Sequence, residues 1–115
     1  MRDVAMAPIP KSNGLDPAFL QEVAGVIKLL GHPDRIRIAE YLLLGEAKVS
    51  DIQQWTGLSQ PITSQHLRQM KDRNIVDSHR EGNCMIYFIA NPLVGKMLKC
   101  LGETQAILQE TRMGE

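Results

Sequence analysis

The residues best placed to do chemistry are Ser59, Gln60, Ser64 and Gln65, with Ile62 among them and Arg68 one turn further on. They fall in "GLSQPITSQHLRQMKDRNIV", residues 57–76. Small and planar polar groups of this kind suit hydrogen bonding to base edges. A Gln amide can pair with adenine N6 and N7, and an Ile side chain can meet a thymine methyl. Ser59 and the backbone N–H groups beside it stand at a helix N-terminus, which suits a phosphate. Arg68 is better suited to the nucleic-acid backbone. Thr63, Leu67 and Met70 share the opposite face and should pack inward. The same pattern also fits an ordinary solvated amphipathic helix with a capping serine.

Other chemistry has less support. His32, His66 and His79 lie on different elements, and no Ser–His–Asp set, phosphate loop or carboxylate pair stands out, so an enzyme is not expected. No cofactor is implied. Two cysteines cannot make a disulfide framework, so reduced thiols and a cytoplasmic chain are the expectation. Cys84 and Cys100 read as small buried apolar residues. The competing reading is a thiol switch acting through Cys100, paired across a two-fold with its own copy. A bridge from Cys84 to Cys100 within one chain would need Cα atoms within about 7 Å. The two cysteines fall on different predicted elements, a strand and a helix, which does not favour that.

The elements that must position these residues are mostly helical. Residues 1–16, "MRDVAMAPIPKSNGLD", form an N-terminal arm without periodicity. A domain over residues 17–111 follows, and residues 112–115 make a tail. Phe19, Leu20, Val23, Val26, Ile27 and Leu30 recur at helical spacing after an Asp16 cap and Pro17. Ile36, Ile38, Ala39, Leu42 and Leu43 predict a second helix ended by Gly45. Ser50 is the expected cap of a third helix, which Gly57 breaks, and Ser59 caps the next, with Pro61 in its first turn. From Val76 to Ile89 the period shortens around Glu81-Gly82-Asn83, which predicts a two-stranded hairpin. Asn91-Pro92 opens a last helix carrying Leu93, Val94, Met97, Leu98, Leu101, Ile107 and Leu108. The fold class is mainly α with a small β-hairpin (α+β). Its order is helix, helix, helix–turn–helix, hairpin, helix, the winged helix–turn–helix arrangement.

Composition narrows the partners. The 115 residues allow one domain, and 4% aromatic content calls for an aliphatic core. No apolar run approaches the roughly 18 residues of a membrane span, and the N-terminus does not resemble a secretory signal. Zero formal net charge argues against a non-specific nucleic-acid binder. Between Ser59 and Asn83, the cations Arg68, Lys71, Arg73 and Arg80 exceed Asp72, Asp77 and Glu81 by one. Salt-dependent binding per subunit should be moderate.

Three stretches, "LLGHPDRIRIAEYLL", "VSDIQQWTGLSQPITSQHLRQMKDRNIVDSHREGN" and "IYF", resemble the ArsR/SmtB-type bacterial transcriptional repressors over roughly residues 20–100. "LSQPITSQHL" and "REGN…Y" carry the most specific part of that resemblance. It implies a homodimeric winged-helix repressor of a palindromic double-stranded operator, released by a metal, small-molecule or oxidant inducer. It implies that the helix after Ser59 is the recognition helix, that residues 76–89 are the wing, and that Arg80 and Asn83 touch DNA at its tip. The first and last helices become the dimer interface, carrying Phe19, Leu20, Val23, Leu93, Met97, Leu101 and Leu108. His66 takes a structural, hydrogen-bonded role. Two departures stand out. Ile62 and Thr63 exchange the small or hydroxyl residue and the β-branched apolar residue usual at those places. The family's metal positions hold Lys48 and Ser50 instead of thiols, and the last helix has no His, so no metal ligands are expected. A winged helix docked on a protein partner is the alternative from another class.

Overall fold

The structure, a computed structural model, describes residues 14–113. The expected N-terminal arm lies, up to residue 13, outside the described residues. The elements run α1 (Pro17–Leu29), α2 (Pro33–Leu44), β1 (Ala47–Lys48), α3 (Val49–Thr56), α4 (Gln60–Asp72), β2 (Val76–Glu81), β3 (Cys84–Ile89) and α5 (Pro92–Met113). This is a winged helix–turn–helix, mainly α with a small antiparallel sheet.

Local chemistry sets most boundaries. Asp16 accepts from the backbone N–H of Ala18 and Phe19, and Pro17 starts α1. Ser59 caps α4 by accepting from Ile62 N, and Asn91 accepts from Leu93 N at the start of α5. Asn74, at φ 61, closes α4: its N–H donates to Lys71 O and that of Ile75 to Met70 O. This is a Schellman ending, with Met70 and Ile75 both fully buried beside it. Gly82, at φ +62, supplies the left-handed residue of the hairpin turn.

Two expectations are corrected. The sheet has three strands, in the order β1-β3-β2, because Ala47 and Lys48 pair with Tyr87 and Ile86 along the open edge of the hairpin. Ser50 is not the cap of α3. Extended Lys48 holds that position with no side-chain cap bond, since the chain passes from the strand pairing straight into the helix.

The core is aliphatic and draws on every helix: Val26 and Leu30 of α1 and its end, Ile38, Ala39 and Leu42 of α2, Ile52 of α3, Leu67 and Met70 of α4, and Val94 of α5. Val76 and Ala47 bring the sheet onto it, while Leu43 of α2 faces outward. α5 reaches well past this core. The radius of gyration is 16.9 Å, against roughly 13 Å for a compact chain of this length.

Candidate nucleic-acid interface

α4 presents one sealed face and one open face. Thr63, Leu67 and Met70 are fully buried and His66 is 8% exposed. At about 100° per residue these four share one side, as the sequence predicts for the first three. Gln65 and Arg68 then fall near the middle of the outer side, with Ser64 on one shoulder and Ile62 on the other. Ile62 is 46% exposed, a large apolar group held in solvent. Gln60 Nε2 donates to Ser64 Oγ at 2.9 Å, so these two polar groups order each other across one helical turn. Thr63 Oγ1 donates to Ser59 O at 2.8 Å, which ties the inner side of the same turn.

The sealed face is fixed by a residue the sequence reading passed over. Arg35, near the start of α2, donates from Nε to His66 Nδ1 at 3.1 Å and from an η nitrogen to Leu29 O at 3.1 Å. Its other η nitrogen donates to Gln69 Oε1. One guanidinium thereby joins the end of α1, the start of α2 and the middle of α4. His66 has the hydrogen-bonded role expected of it. Its pKa lies below the ordinary 6.5, first because burial disfavours the charged ring and next because of the Arg35 charge, with His32 adding and Asp34 opposing. Neutral imidazole is the form that accepts from Arg35. Arg37 plays a similar part at the end of α3, donating to Thr56 O and Trp55 O, with its guanidinium 5.2 Å from the Trp55 ring centroid.

The cations expected behind the reading face divide. Lys71 Nζ donates to Ser78 Oγ at 2.7 Å and lies 3.9 Å from Asp77, so it braces α4 against the wing. Arg73 caps α4 and its side chain lies against Gly25 of α1. Arg68 and Arg73 have no ion pair or side-chain hydrogen bond among the described residues, and of the two Arg68 is the one on the outer side of α4. On the wing, β2 and β3 pair from Val76–Ile89 to Glu81–Cys84. Alternation puts Val76, Ser78 and Arg80 on the face toward the core and α4. Arg80 is exposed on that side near the tip, with Asn83 exposed in the turn.

Cys84 and Cys100 are both exposed on the single chain, which corrects the reading of them as buried apolar residues: one sits at the wing tip, the other on the outer length of α5. The interface residues assigned from the first and last helices do not form one core. Leu93 and Met97 pack partly onto it, while Phe19 (39%), Leu20 (46%), Leu101 (53%) and Leu108 (47%) stand exposed, with Val23 half-buried. The histidines are less scattered than the sequence implied. His32 and His66 meet edge to face at 4.8 Å, with Asp34 beside them, and Glu46, His79 and Glu81 gather at the wing. His66 meets His32, and Glu46 meets His79, only through the fold, so spacing alone gave no signal of either cluster.

Comparison with known proteins now decides the family. A model described as "Bacterial regulatory protein, arsR family" matches residues 32–78, from the start of α2 into β2. The HTH-type transcriptional regulator YgaV of Escherichia coli K12 is 34% identical over 86 residues, covering 73% of this chain and 86% of that one. This chain belongs to the arsR family. A second relative, the biofilm growth-associated repressor of Agrobacterium fabrum, is 32% identical over 99 residues, covering 86% of this chain and 81% of its own. Among solved structures, the homodimeric winged helix–turn–helix domain Mb0332 of Mycobacterium bovis superposes with a TM-score of 0.69 at 28% identity. That match covers 96% of each chain. The arsR-family winged-helix regulators are DNA-binding proteins, and these relatives are transcriptional regulators. Among the described residues, no helix is long and apolar enough to cross a membrane.

Proposed function

We propose that this chain is a homodimeric repressor that reads a palindromic operator through α4 and steadies itself with the wing. The observation that carries the reading is the contrast across α4. Its inner face is locked by Arg35 and by Lys71, while its outer face offers Gln60, Ile62, Ser64, Gln65 and Arg68 to solvent. Rigid support behind a face of short polar groups suits base readout in a major groove, where wrong positioning by an ångström forfeits the hydrogen bonds. Ser59 and the first N–H groups of α4 take a phosphate, and Arg68 takes the backbone behind the base contacts. Arg80 and Asn83 reach the flanking groove or phosphates from the wing.

Pairing through α1 and α5 covers Phe19, Leu20, Leu101 and Leu108 and sets two copies of α4 about 34 Å apart, one turn of DNA. An inducer, whether small molecule or oxidant, acts by changing that spacing, since the operator's half-sites are fixed. The cytoplasm, where the bacterial chromosome lies, is the place of action.

The test is binding to DNA upstream of the chain's own gene. Gln65→Ala is expected to weaken specific binding by about 1–3 kcal/mol, with Ser64→Ala acting in the same direction. Arg80→Ala is expected to lower affinity and reduce the salt dependence by about one phosphate contact. If all three variants bind like wild type, the reading surface lies elsewhere.

A further inference from the structure

The outer face of the wing, opposite Arg80, carries groups that DNA reading does not use. Alternation puts Asp77, His79 and Glu81 on this face of β2, with Cys84, Ile86 and Phe88 as their partners on β3. Glu46, just before β1, reaches over β3 to place Oε1 3.2 Å from His79 Nε2. On the other side of the ring, His79 Nδ1 lies 3.9 Å from Glu81 Oε2. One ligand atom from each of Glu46, His79 and Glu81 lies within 4.8 Å of the other two. Glu46 and Glu81 also line a cavity of about 350 Å³ whose wall includes Asp51 and Cys84, with one cation, Lys48, against the two Glu and Asp51 carboxylates.

We propose that Glu46, His79 and Glu81 bind a divalent ion of the zinc, cobalt or nickel class. The donors come from β2 and from the residue that leads into β1, so an ion here ties the β1 edge to the wing across the middle strand. One imidazole and two carboxylates give a neutralising set for a divalent charge, and the Asp51 carboxylate and Cys84 thiol stand on the adjoining wall. Imidazole beside carboxylate favours borderline ions, whereas magnesium and calcium favour all-oxygen shells. The ligands stay partly exposed, which leaves room for water to complete the shell.

The other histidine cluster makes the contrast. His32 Nδ1 already accepts from Asp34 N at 3.1 Å, and His66 Nδ1 accepts from Arg35 Nε at 3.1 Å. An ion there would meet the Arg35 charge and compete with two structural hydrogen bonds. At His79, both ring nitrogens face carboxylates. His79 and Glu81 also flank Arg80 in sequence, so an ion held by them fixes the backbone that carries Arg80 from the face away from DNA.

The inference concerns ion binding alone, and its test uses no DNA, so it stands or falls apart from the repressor reading. Untagged, metal-free full-length protein is titrated with zinc in competition with a chromophoric chelator, with magnesium in excess. The expected result is one zinc per chain, not displaced by magnesium. His79→Asn and Glu46→Gln are each expected to weaken it roughly tenfold or more, since even changes outside the ligand shell cost about 10–100-fold. His32→Asn, which keeps a capping side chain, is expected to bind zinc like wild type. Both wing substitutions fall at exposed positions, and far-UV circular dichroism checks that the fold is retained. No zinc uptake by wild type, uptake unchanged in the His79→Asn/Glu46→Gln double variant, or uptake lost in His32→Asn would each overturn the proposal.

Discussion

α4 and α5 use the same kind of residue in opposite ways. α4 buries Thr63, His66, Leu67 and Met70 out of 13 residues, while the 22-residue α5 buries only Val94. From Lys99 to Met113 every residue of α5 is exposed, Leu101, Ile107 and Leu108 included. α4 is finished within one chain: its apolar side is sealed, its polar inner groups are paired, and its caps are filled. The α1 and α5 flank is unfinished, with apolar side chains at helical spacing and no neighbour among the described residues to cover them. Large apolar groups exposed in a row mark a surface meant for contact. α4 therefore owes its shape to its own chain, and in the proposed homodimer the α1 and α5 flank is completed by a second copy.

The strongest test of this contrast is a pair of equivalent truncations. Leu67→Ala, at a fully buried site, is expected to cost about 2–5 kcal/mol by chemical denaturation, with little dependence on protein concentration. Leu108→Ala, at a site 47% exposed, should leave the dilute chain's stability within about 0.5 kcal/mol and instead weaken self-association in sedimentation. Equal losses from the two at high dilution would break the distinction.

A sharper probe concerns how α4 is held. Arg35→Ala removes the donor to His66, Gln69 and Leu29 O. A loss of about 1–3 kcal/mol is expected from the unpaired, part-buried acceptors. DNA affinity should fall beyond what the stability change explains, because α4 loses its register. Unchanged DNA binding in a folded Arg35→Ala chain would mean that the knot is not what positions the reading face.

Acid gives the gentlest probe. The folded pKa of His66 lies below the 6.5 of an unperturbed ring, so the unfolded chain takes up that proton first as pH falls. Its stabilising contribution is complete above pH 6.5 and is lost as pH falls from there toward the folded value. His66→Gln is expected to flatten that part of the stability–pH curve. An unaltered slope would assign it to other groups.

The sequence was most readable where partners are close along the chain. Asp16, Ser59, Pro61, Gly82 and Asn91 announce their turns and caps because each acts on groups within a few residues. The apolar face of α4 was readable for the same reason, through period alone. What escaped was set by pairing at a distance. β1 exists because Ala47 and Lys48 find Tyr87 and Ile86, about forty residues away, and no two-residue pattern can announce that. Arg35 finds His66 and Gln69 thirty-one and thirty-four residues on. Lys71 counts as a free cation in the local charge balance because its charge is visible in the sequence and its tie to Ser78 is not. For the exposed reading face, residue type and periodicity chose the same residues that the fold leaves open, since neither depends on a distant partner.

The attachment of α5 has a mechanical consequence. Its first turns are clamped by Val94 in the core and by Gly95, where a methyl group would stand 3.6 Å from Leu43 of α2. Beyond them about fifteen residues run on for roughly 22 Å. That makes α5 a lever with its fulcrum where it leaves the core after Leu98. A tilt of about 5° there carries the far end by roughly 2 Å over that length. The clamped turns rest on α2, the same helix whose Arg35 grips α4. In the proposed dimer, tilt of α5 and the aim of α4 therefore share one bearing on α2.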